Sequence, residues 1–591
     1  MPTFVGMTSG ENMNTNDIRK AFLNYMESNG HKIVPSASLI PDDPSLLFTV
    51  AGVVPFKKVL QGAQPAPAPR VADSQKCLRA GGKHNDLEDV GYDSRHQTFF
   101  EMLGNWSFGD YFKEGAIELS WNLLTRELGI DPARLVVTTH TSDEEATAIW
   151  KKLTGKSAIR LDKDNWWSMG DTGPCGPSTE IFYDHGADVP GGLPGSPDED
   201  AGRYIEIWNN VFMQFDKGAD GKLSPLPKQN VDTGGGLERW AAMLQGVHDN
   251  FDTDTFVALK SAVSDVVGVA QSRDNIPQFK IIADHLRAVG FAIADGVQPS
   301  NIERGYVIRR ILRRAMRQGH ALGHKGPLLS RLYPALAQQM GAAYPELIKE
   351  QNRVIETIEK EENSFADMLV QGMKLLEKEI AALPSKVMPG ATAFKMYDTY
   401  GFPLDMTEQI LRERGVAVDV PGFDAAMAEQ KERSRSTQVF KGGLSGTGEM
   451  ETKYHTAAHL LHAALRKVFG DGAVCKGSNI TPERLRFDFS LDRRMEPSEI
   501  SEVERIVNEA IAAAADVVLE EMPLAAAQAS GAIGLFSSKY GDVVKVYTMG
   551  EYSKEICGGP HARNTSELGS FKIQKEESSG AGVRRIKAVI N

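Results

Sequence analysis

The stretch from Lys76 to Lys113, KCLRAGGKHNDLEDVGYDSRHQTFFEMLGNWSFGDYFK, constrains the fold of this chain more than any other. Cys77 and Leu78 lead as a short strand to Arg79, an Ala-Gly-Gly turn follows, and then a polar loop. The chain returns through Arg95 and His96 to a second strand, Thr98–Leu103. This arrangement is a hairpin carrying Arg79, Lys83, His84, Arg95 and His96. Its glycines let the backbone approach a ligand closely, and its cations can neutralise phosphate oxygens. A solvated surface hairpin would account for one Arg-Gly-Gly. Here Phe99, Phe100, Trp106, Phe108, Tyr111 and Phe112 make the flanks too apolar for a free ribbon.

Two further glycine-rich stretches follow. DNWWSMGDTGPCGPSTEIFYD (Asp164–Asp184) crowds glycines and prolines around Asp171, which predicts a rigid loop with free backbone N–H groups. By spacing alone, Trp167 and Val211 (in EIWNNVFMQF, Glu206–Phe215) read as core packing. Cys175 reads as a loop thiol with no base to activate it. VDTGGGLERW (Val231–Trp240) predicts a strand ending at Asp232, a glycine turn and a helix carrying Arg239. No Lys-Ser/Thr follows the glycines, so it is not a P-loop. Nearer the start, Asn16 is placed to cap a helix from Asp17 to Ser28. His31–Phe56 reads as irregular strands and turns, and Glu114–Leu128 as an amphipathic helix.

A chain of 591 residues is long for one core and implies several domains. A net charge of −12 argues against nucleic-acid binding by the whole surface, so RNA contact must come from local patches. RGYVIRRILRRAMRQGH (Arg304–His320) is such a patch. On a helical wheel Arg309, Arg310, Arg313, Arg314 and Arg317 share an arc of about 140°, with Ile308, Ile311, Leu312 and Ala315 opposite. No acidic residue lies within the stretch, which favours an RNA-backbone surface over a solvated, self-paired face. Four scattered cysteines give no disulfide framework and suit a reducing, cytoplasmic setting. No apolar run approaches the ~20 residues of a membrane span. Residues 1–15 lack a signal-peptide pattern, and Met7 or Met13 could equally be the start.

Near the end, KYHTAAHLLHAALRKVF predicts a helix with His455 and His459 one turn apart, a spacing that lets two imidazoles share a metal. CGGPH adds Cys557 and His561, completing a tetrahedral set for zinc. His462 reads as a satisfied core or surface histidine. H-T-A-A-H lacks the Glu of a zinc peptidase.

The Lys76–Lys113 hairpin resembles motif 2 of the class II aminoacyl-tRNA synthetases, in the form found in the alanyl-tRNA synthetase family. Val231–Trp240 resembles motif 3 and His31–Phe56 the motif 1 region, in the family's order, and the resemblance runs from Ile18 to Ile590. It implies an α+β multidomain fold. An antiparallel-sheet catalytic domain would span 1–245, a helical tRNA-recognition domain 246–433, a linker 434–452 and an α+β zinc editing domain 453–591. It implies activation of L-alanine by ATP with Mg2+, then transfer to tRNA(Ala). Its catalytic residues would be Arg79, Lys83, Asp232 and Arg239. Arg79, Arg95, His96, Phe99 and Arg239 would bind ATP, with Arg239 at the γ-phosphate. Trp167, Asn209, Val211 and Asp232 would bind alanine, with Asp232 at the ammonium. Asn301 and Asp398 match the pair that reads the G3·U70 wobble of the acceptor stem, beside Arg309, Arg310, Arg313 and Arg314.

RFDF (Arg486–Phe489) and AGVRRI (Ala581–Ile586) resemble the editing domain shared by alanyl- and threonyl-tRNA synthetases, with one Zn2+ on His455, His459, Cys557 and His561. An alanine pocket cannot exclude glycine and separates serine by only ~1–3 kcal/mol, so a second, hydrolytic site is the remedy. The chain departs from the family at Cys475, where Gln is usual before K-G-S, and at Pro560, where Thr is usual. The linker is too short for the family's β-barrel, and the family's C-terminal region does not follow Asn591, which suggests a compact monomer. Two rivals are a Ser-tRNA(Ala) deacylase with an impaired synthetase half and a silent RNA-binding paralogue. Arg79, Lys83, Asp232 and Arg239 all stand in place, which speaks for the ligase.

Overall fold

Runs rich in Val, Ile, Phe and Trp, at Phe99–Phe108 and Tyr204–Lys217, flank the middle strand of a nine-stranded sheet. In the computed structural model the described residues are 13–591 except 44, 82–83, 171, 384, 403, 413, 437–447, 535–542 and 581. The chain divides into two compact units, residues up to 388 with 395–418, and residues 389–394 with 419–591. The sequence boundary at 245/246 lies inside the first unit.

In the first unit the main strands are β1 (Arg70–Leu78), β2 (Phe99–Phe108), β3 (Leu135–His140), β4 (Trp166–Ser168), β5 (Gly173–Asp184), β6 (Tyr204–Lys217) and β7 (Leu223–Gly236). They run in the order β1-β2-β7-β6-β5-β3, with β4 beside β5. These pairings are antiparallel, and short parallel strands at Lys32–Ile33 and Ile159–Leu161 close the two edges. Helices α1 (Thr15–Ser28), α2 (Lys113–Asn122) and α3 (Leu237–Leu244) contribute to one apolar cluster with the sheet, around Phe22, Trp208 and Trp240. A separate small cluster forms around Val71, Trp106, Val211 and Met213.

Four local expectations need correction. Asn14 caps α1, accepting from the Asp17 N–H, because the helix starts two residues earlier than Asn16 would set it. The helix expected over Glu114–Leu128 ends at Asn122 and widens into a π-turn over Leu123–Glu127. The Gly-Pro-Cys-Gly-Pro run is no free loop: from Gly173 it is strand β5, paired with β4 and β6. Gly176 is required there, since a Cβ would collide with the Phe212 carbonyl oxygen. Likewise β7 does not stop at Asp232 but carries the three glycines within it and passes directly into α3.

The helices that follow belong to the same unit. They include α4 (Ile276–Ala294), α5 (Glu303–Ala321) and α6 (Gln351–Ala381), whose apolar faces form one core with Leu78 and Phe99. Buried charges also tie them to the sheet. Lys76 Nζ reaches Asp295 at 3.0 Å and Glu346 at 2.6 Å, and the Tyr344 hydroxyl donates to Glu101 at 2.6 Å.

The second unit contains α7 (Glu449–Phe469), which begins inside the expected linker, and α8 (Pro497–Ala512). Strands β8 (Cys475–Thr481), β9 (Arg484–Ser490), β13 (Phe571–Gly580) and β14 (Val583–Ile590) form a sheet ordered β8-β9-β14-β13. Strands β10 (Val517–Pro523), β11 (Val543–Met549) and β12 (Ser553–Ile556) form a second, three-stranded sheet. Among the described residues no helix is long and apolar enough to cross a membrane. All four cysteines are free.

Candidate active site and metal centre

Strand register assembles the first site. Trp106 on β2, Asp232 on β7, Val211 on β6 and Ser178 on β5 stand directly opposite one another, so their side chains share one face. Two residues along, Asn209 lies opposite Gly234 and Glu180 on the same face, and its Nδ2 donates to Glu180 Oε1 at 3.0 Å. Trp167 packs on the cluster of Val211 and Trp106. The structure therefore gathers Trp167, Asn209, Val211 and Asp232.

Sequence reasoning missed three members of this wall. Trp106 Nε1 donates to Asp232 Oδ1 at 2.7 Å. Asp73 on β1 lies fully buried, with Oδ1 lacking a partner, and burial and the neighbouring Asp232 push its carboxyl well up. Glu180 is likewise pushed well up by burial and by Glu206 and Asp164. Burial also raises Asp232 to about 7, against the Trp106 hydrogen bond. A lone Asp in the otherwise buried strand RVADSQKCL was the available signal for Asp73. Dry carboxylates short of a positive partner favour a cationic ligand.

The cations take two positions. Arg95, His96 and Arg239 line a cavity of about 230 Å3 together with Phe182, Tyr204 and Glu206. Arg239 Nη1 donates to the Glu206 carbonyl at 2.7 Å and to its carboxylate at 3.1 Å, and Arg95 Nη2 donates to Asp200 at 2.6 Å. His96 is paired with Asp93, whose hydrogen bond raises the imidazole's pKa. Arg79 lies outside that cavity, its Nε donating to the Val50 carbonyl at 3.1 Å and its guanidinium 4.9 Å from the Phe100 ring. Lys83 lies outside the described residues.

Phe99 corrects an expectation. It is fully buried, stacked 4.3 Å from Phe291 and capped by Arg287, so it cannot meet a nucleotide. Strand alternation sends Phe100, its half-buried neighbour, to the opposite face beside Arg79.

The arginine face of α5 is the second correction. Arg314 and Arg317 are buried, and Arg314 donates to the Leu87 carbonyl. Arg309 and Arg313 pair with Glu361 of α6, and Arg310 lies 4.0 Å from Glu88. The surface expected to meet an RNA backbone is therefore spent largely on contacts within the protein. The neutralising acids come from elsewhere in the chain, where a reading of the helix alone could not find them. Asn301, just before α5, and Asp398, on the helix Gly390–Tyr400, are both exposed.

In the second unit, α7 places His455 and His459 with ring centres 5.1 Å apart, and His561 stacks on His455 at 4.3 Å. Cys557 Sγ lies 3.5 Å from His455 Nε2, and one donor atom from each of the four residues lies within 4.8 Å of all the others. Zinc at its usual ligand distances needs donors about 3.5 Å apart, so a small contraction would close the set. His561 Nε2 is buried with no oxygen or nitrogen partner, as suits a metal-ligating atom. Burial pushes the Cys557 thiol up, but hydrogen bonds from His455, His459 and His561 outweigh it and bring the thiol to about 3, ready to ligate.

The supporting shell includes one residue the sequence reading missed. Glu555 on β12 lies 2.8 Å from His459 Nδ1 and 2.9 Å from His462 Nδ1. Its spacing two residues before Cys557 was the available signal. His462 is thus a core histidine held at Nδ1 by Glu555, while its buried Nε2 has no partner. His455 Nδ1 donates to the Pro560 carbonyl at 3.0 Å, which leaves Nε2 for the metal. The Pro at 560 therefore keeps a carbonyl contact its backbone can supply.

The unit that holds this sheet and its carboxylate-rich wall belongs to the class II aminoacyl-tRNA synthetases. Residues 17–473 match the family described as tRNA synthetases class II (A), and residues 544–587 the threonyl and alanyl tRNA synthetase second additional domain. Alanine–tRNA ligase of Chromohalobacter salexigens is 45% identical over 98% of this chain and 79% of its own length. Those of Hydrogenovibrio crunogenus and Parvibaculum lavamentivorans are 44% and 43% identical, over 98% and 97% of this chain and 80% and 79% of their lengths. The chain belongs to the alanine–tRNA ligase family, with an editing-associated domain. A match along nearly the whole chain, synthetase half included, favours this reading over a deacylase with an impaired synthetase half.

Proposed function

We propose that Asp232 holds the alanine ammonium, with Val211 and Trp167 walling the methyl group and Asn209 bordering the carboxylate. Arg79 faces the α-phosphate, while Arg95, His96 and Arg239 hold the outer phosphates, and Lys83 adds a further positive charge for ATP. Mg2+ bound with ATP would share in neutralising the phosphates beside Arg239, whose neighbouring carboxylates are Glu206 and Glu180. The alanine carboxylate attacks the α-phosphate, pyrophosphate leaves, and the terminal ribose of the tRNA then takes the alanyl group. The protein's part is positioning and charge neutralisation. Asn301 and Asp398 read the acceptor-stem wobble pair.

In the second unit, His455, His459, Cys557 and His561 hold one zinc ion, which supplies Lewis acidity when bound. Pro560 and Glu555 orient two of the imidazoles. This site hydrolyses Ser- and Gly-tRNA(Ala), in the cytoplasm where the ligase works.

The observation that carries the reading is the buried Asp232 carboxylate, held by Trp106 on the wall it shares with Val211. The test is alanine-dependent ATP–pyrophosphate exchange with and without Mg2+, with zinc counted per chain and Ser-tRNA(Ala) hydrolysis followed. Exchange that requires Mg2+, one zinc per chain and hydrolysis of the seryl ester are expected. Exchange that survives Asp232→Asn would contradict the assignment.

A further inference from the structure

Arg309 and Arg313 stand one turn apart on α5 and converge on a single carboxylate oxygen. Arg309 Nε lies 3.0 Å from Glu361 Oε1, and Arg313 donates to the same oxygen from Nε at 3.1 Å and Nη2 at 2.9 Å. Glu361 reaches in from α6, and its side chain is only 8% exposed.

Each guanidinium has a second partner. Arg309 Nη1 donates to the side-chain oxygen of Asn301, and its Nη2 to the Pro299 carbonyl at 3.3 Å. Arg313 Nη1 donates to the Gly401 carbonyl at 2.7 Å, with the guanidinium 4.5 Å from the Phe365 ring. Gly401 has φ +64°, and a Cβ there would collide with Arg313 Nη1, so the turn and the arginine are fitted to each other. The loop bearing Asn301 and the turn three residues beyond Asp398 are both suspended from one buried carboxylate.

We infer that Glu361 is a positioning residue that sets the spacing of Asn301 and Asp398 and so sharpens recognition of the acceptor stem. The inference rests on the proposed reading of those two residues. Two guanidiniums one turn apart repel each other, and a carboxylate between them reverses that. Replacing it with a neutral amide leaves two crowded, half-buried cations, and each can relax only by releasing its second partner. Glu361 itself touches no RNA; it acts through Arg309 and Arg313.

The test compares Glu361→Gln, Glu361→Asp and Asn301→Ala in the full chain. The readouts are alanine-dependent ATP–pyrophosphate exchange and kcat/KM for charging tRNA(Ala) carrying G3·U70 or G3·C70. For Glu361→Gln, exchange stays near wild type while charging of the G3·U70 tRNA falls by about ten- to a hundredfold, a misplacement effect. The preference for G3·U70 narrows with it, and Glu361→Asp restores part of both. If Asn301→Ala narrows the preference and Glu361→Gln does not, the inference is overturned while the reading stands. If Asn301→Ala leaves the preference intact, the reading falls and takes the inference with it. Parallel loss of exchange and charging in both Glu361 variants would mean a merely structural carboxylate, and also overturns it.

Discussion

The alanine wall of the first unit and the metal cluster of the second are both buried and both rich in titratable groups, yet they balance charge in opposite ways. Asp232, Asp73 and Glu180 crowd one face, and burial pushes all three carboxyls up, at Glu180 in spite of Arg239. In the cluster, Cys557 and Glu555 are opposed by His459, whose imidazole is pushed up to about 10 by these anions in spite of burial. The first site is built to be completed by a positive substrate. The second is already neutral enough to persist, and a metal replaces protons there.

The comparison is broken most severely at its two centres. Asp232→Asn is expected to lower alanine-dependent exchange by about a thousandfold, the scale of an unpaired buried ammonium, and to leave Ser-tRNA(Ala) hydrolysis alone. Next, Glu555→Gln should weaken zinc by about 10- to 100-fold, read by competition with a chromogenic chelator, while exchange is unchanged.

A smaller effect sharpens the electrostatic side. A carboxyl near 7 keeps its proton below that pH, so an ammonium meets a neutral partner in acid and a carboxylate in base. The kcat/KM for alanine in exchange should therefore rise with pH through about 7. Trp106→Phe removes the donor that favours the charged form, so the midpoint moves upward and the loss at neutral pH is regained at higher pH. A profile flat from pH 6 to 8 in the wild type would argue against Asp232 as the ammonium's partner.

The smallest effect separates neighbours on one strand. Phe99→Leu should cost about 1–2 kcal/mol in thermal unfolding and leave the KM for ATP unchanged, because Phe99 packs on Phe291. Phe100→Leu should do the reverse, raising that KM a few-fold at little cost in stability.

What the sequence disclosed follows the range of its signals. His455 and His459 share a helix face and Cys557 and His561 a short turn, so both halves of the metal set were legible as local patterns. The strand pair around Arg79 was legible for the same reason. Phe99 was misplaced because the alternation around it is apolar on both sides, and only the packing of α4 decides which ring is core. The α5 arginines were misread because Glu361 and Glu88 lie far away in sequence. Asp73 and Trp106 join Asp232 only through strand register, which no single stretch contains.

The most direct test of two independent centres in one chain places Asp232→Asn and Cys557→Ala side by side. Each is assayed for alanine-dependent exchange and for hydrolysis of Ser-tRNA(Ala). Loss of exchange alone in the first and of hydrolysis alone in the second is the predicted result. Undiminished hydrolysis in Cys557→Ala, or loss of both activities in either variant, would contradict it.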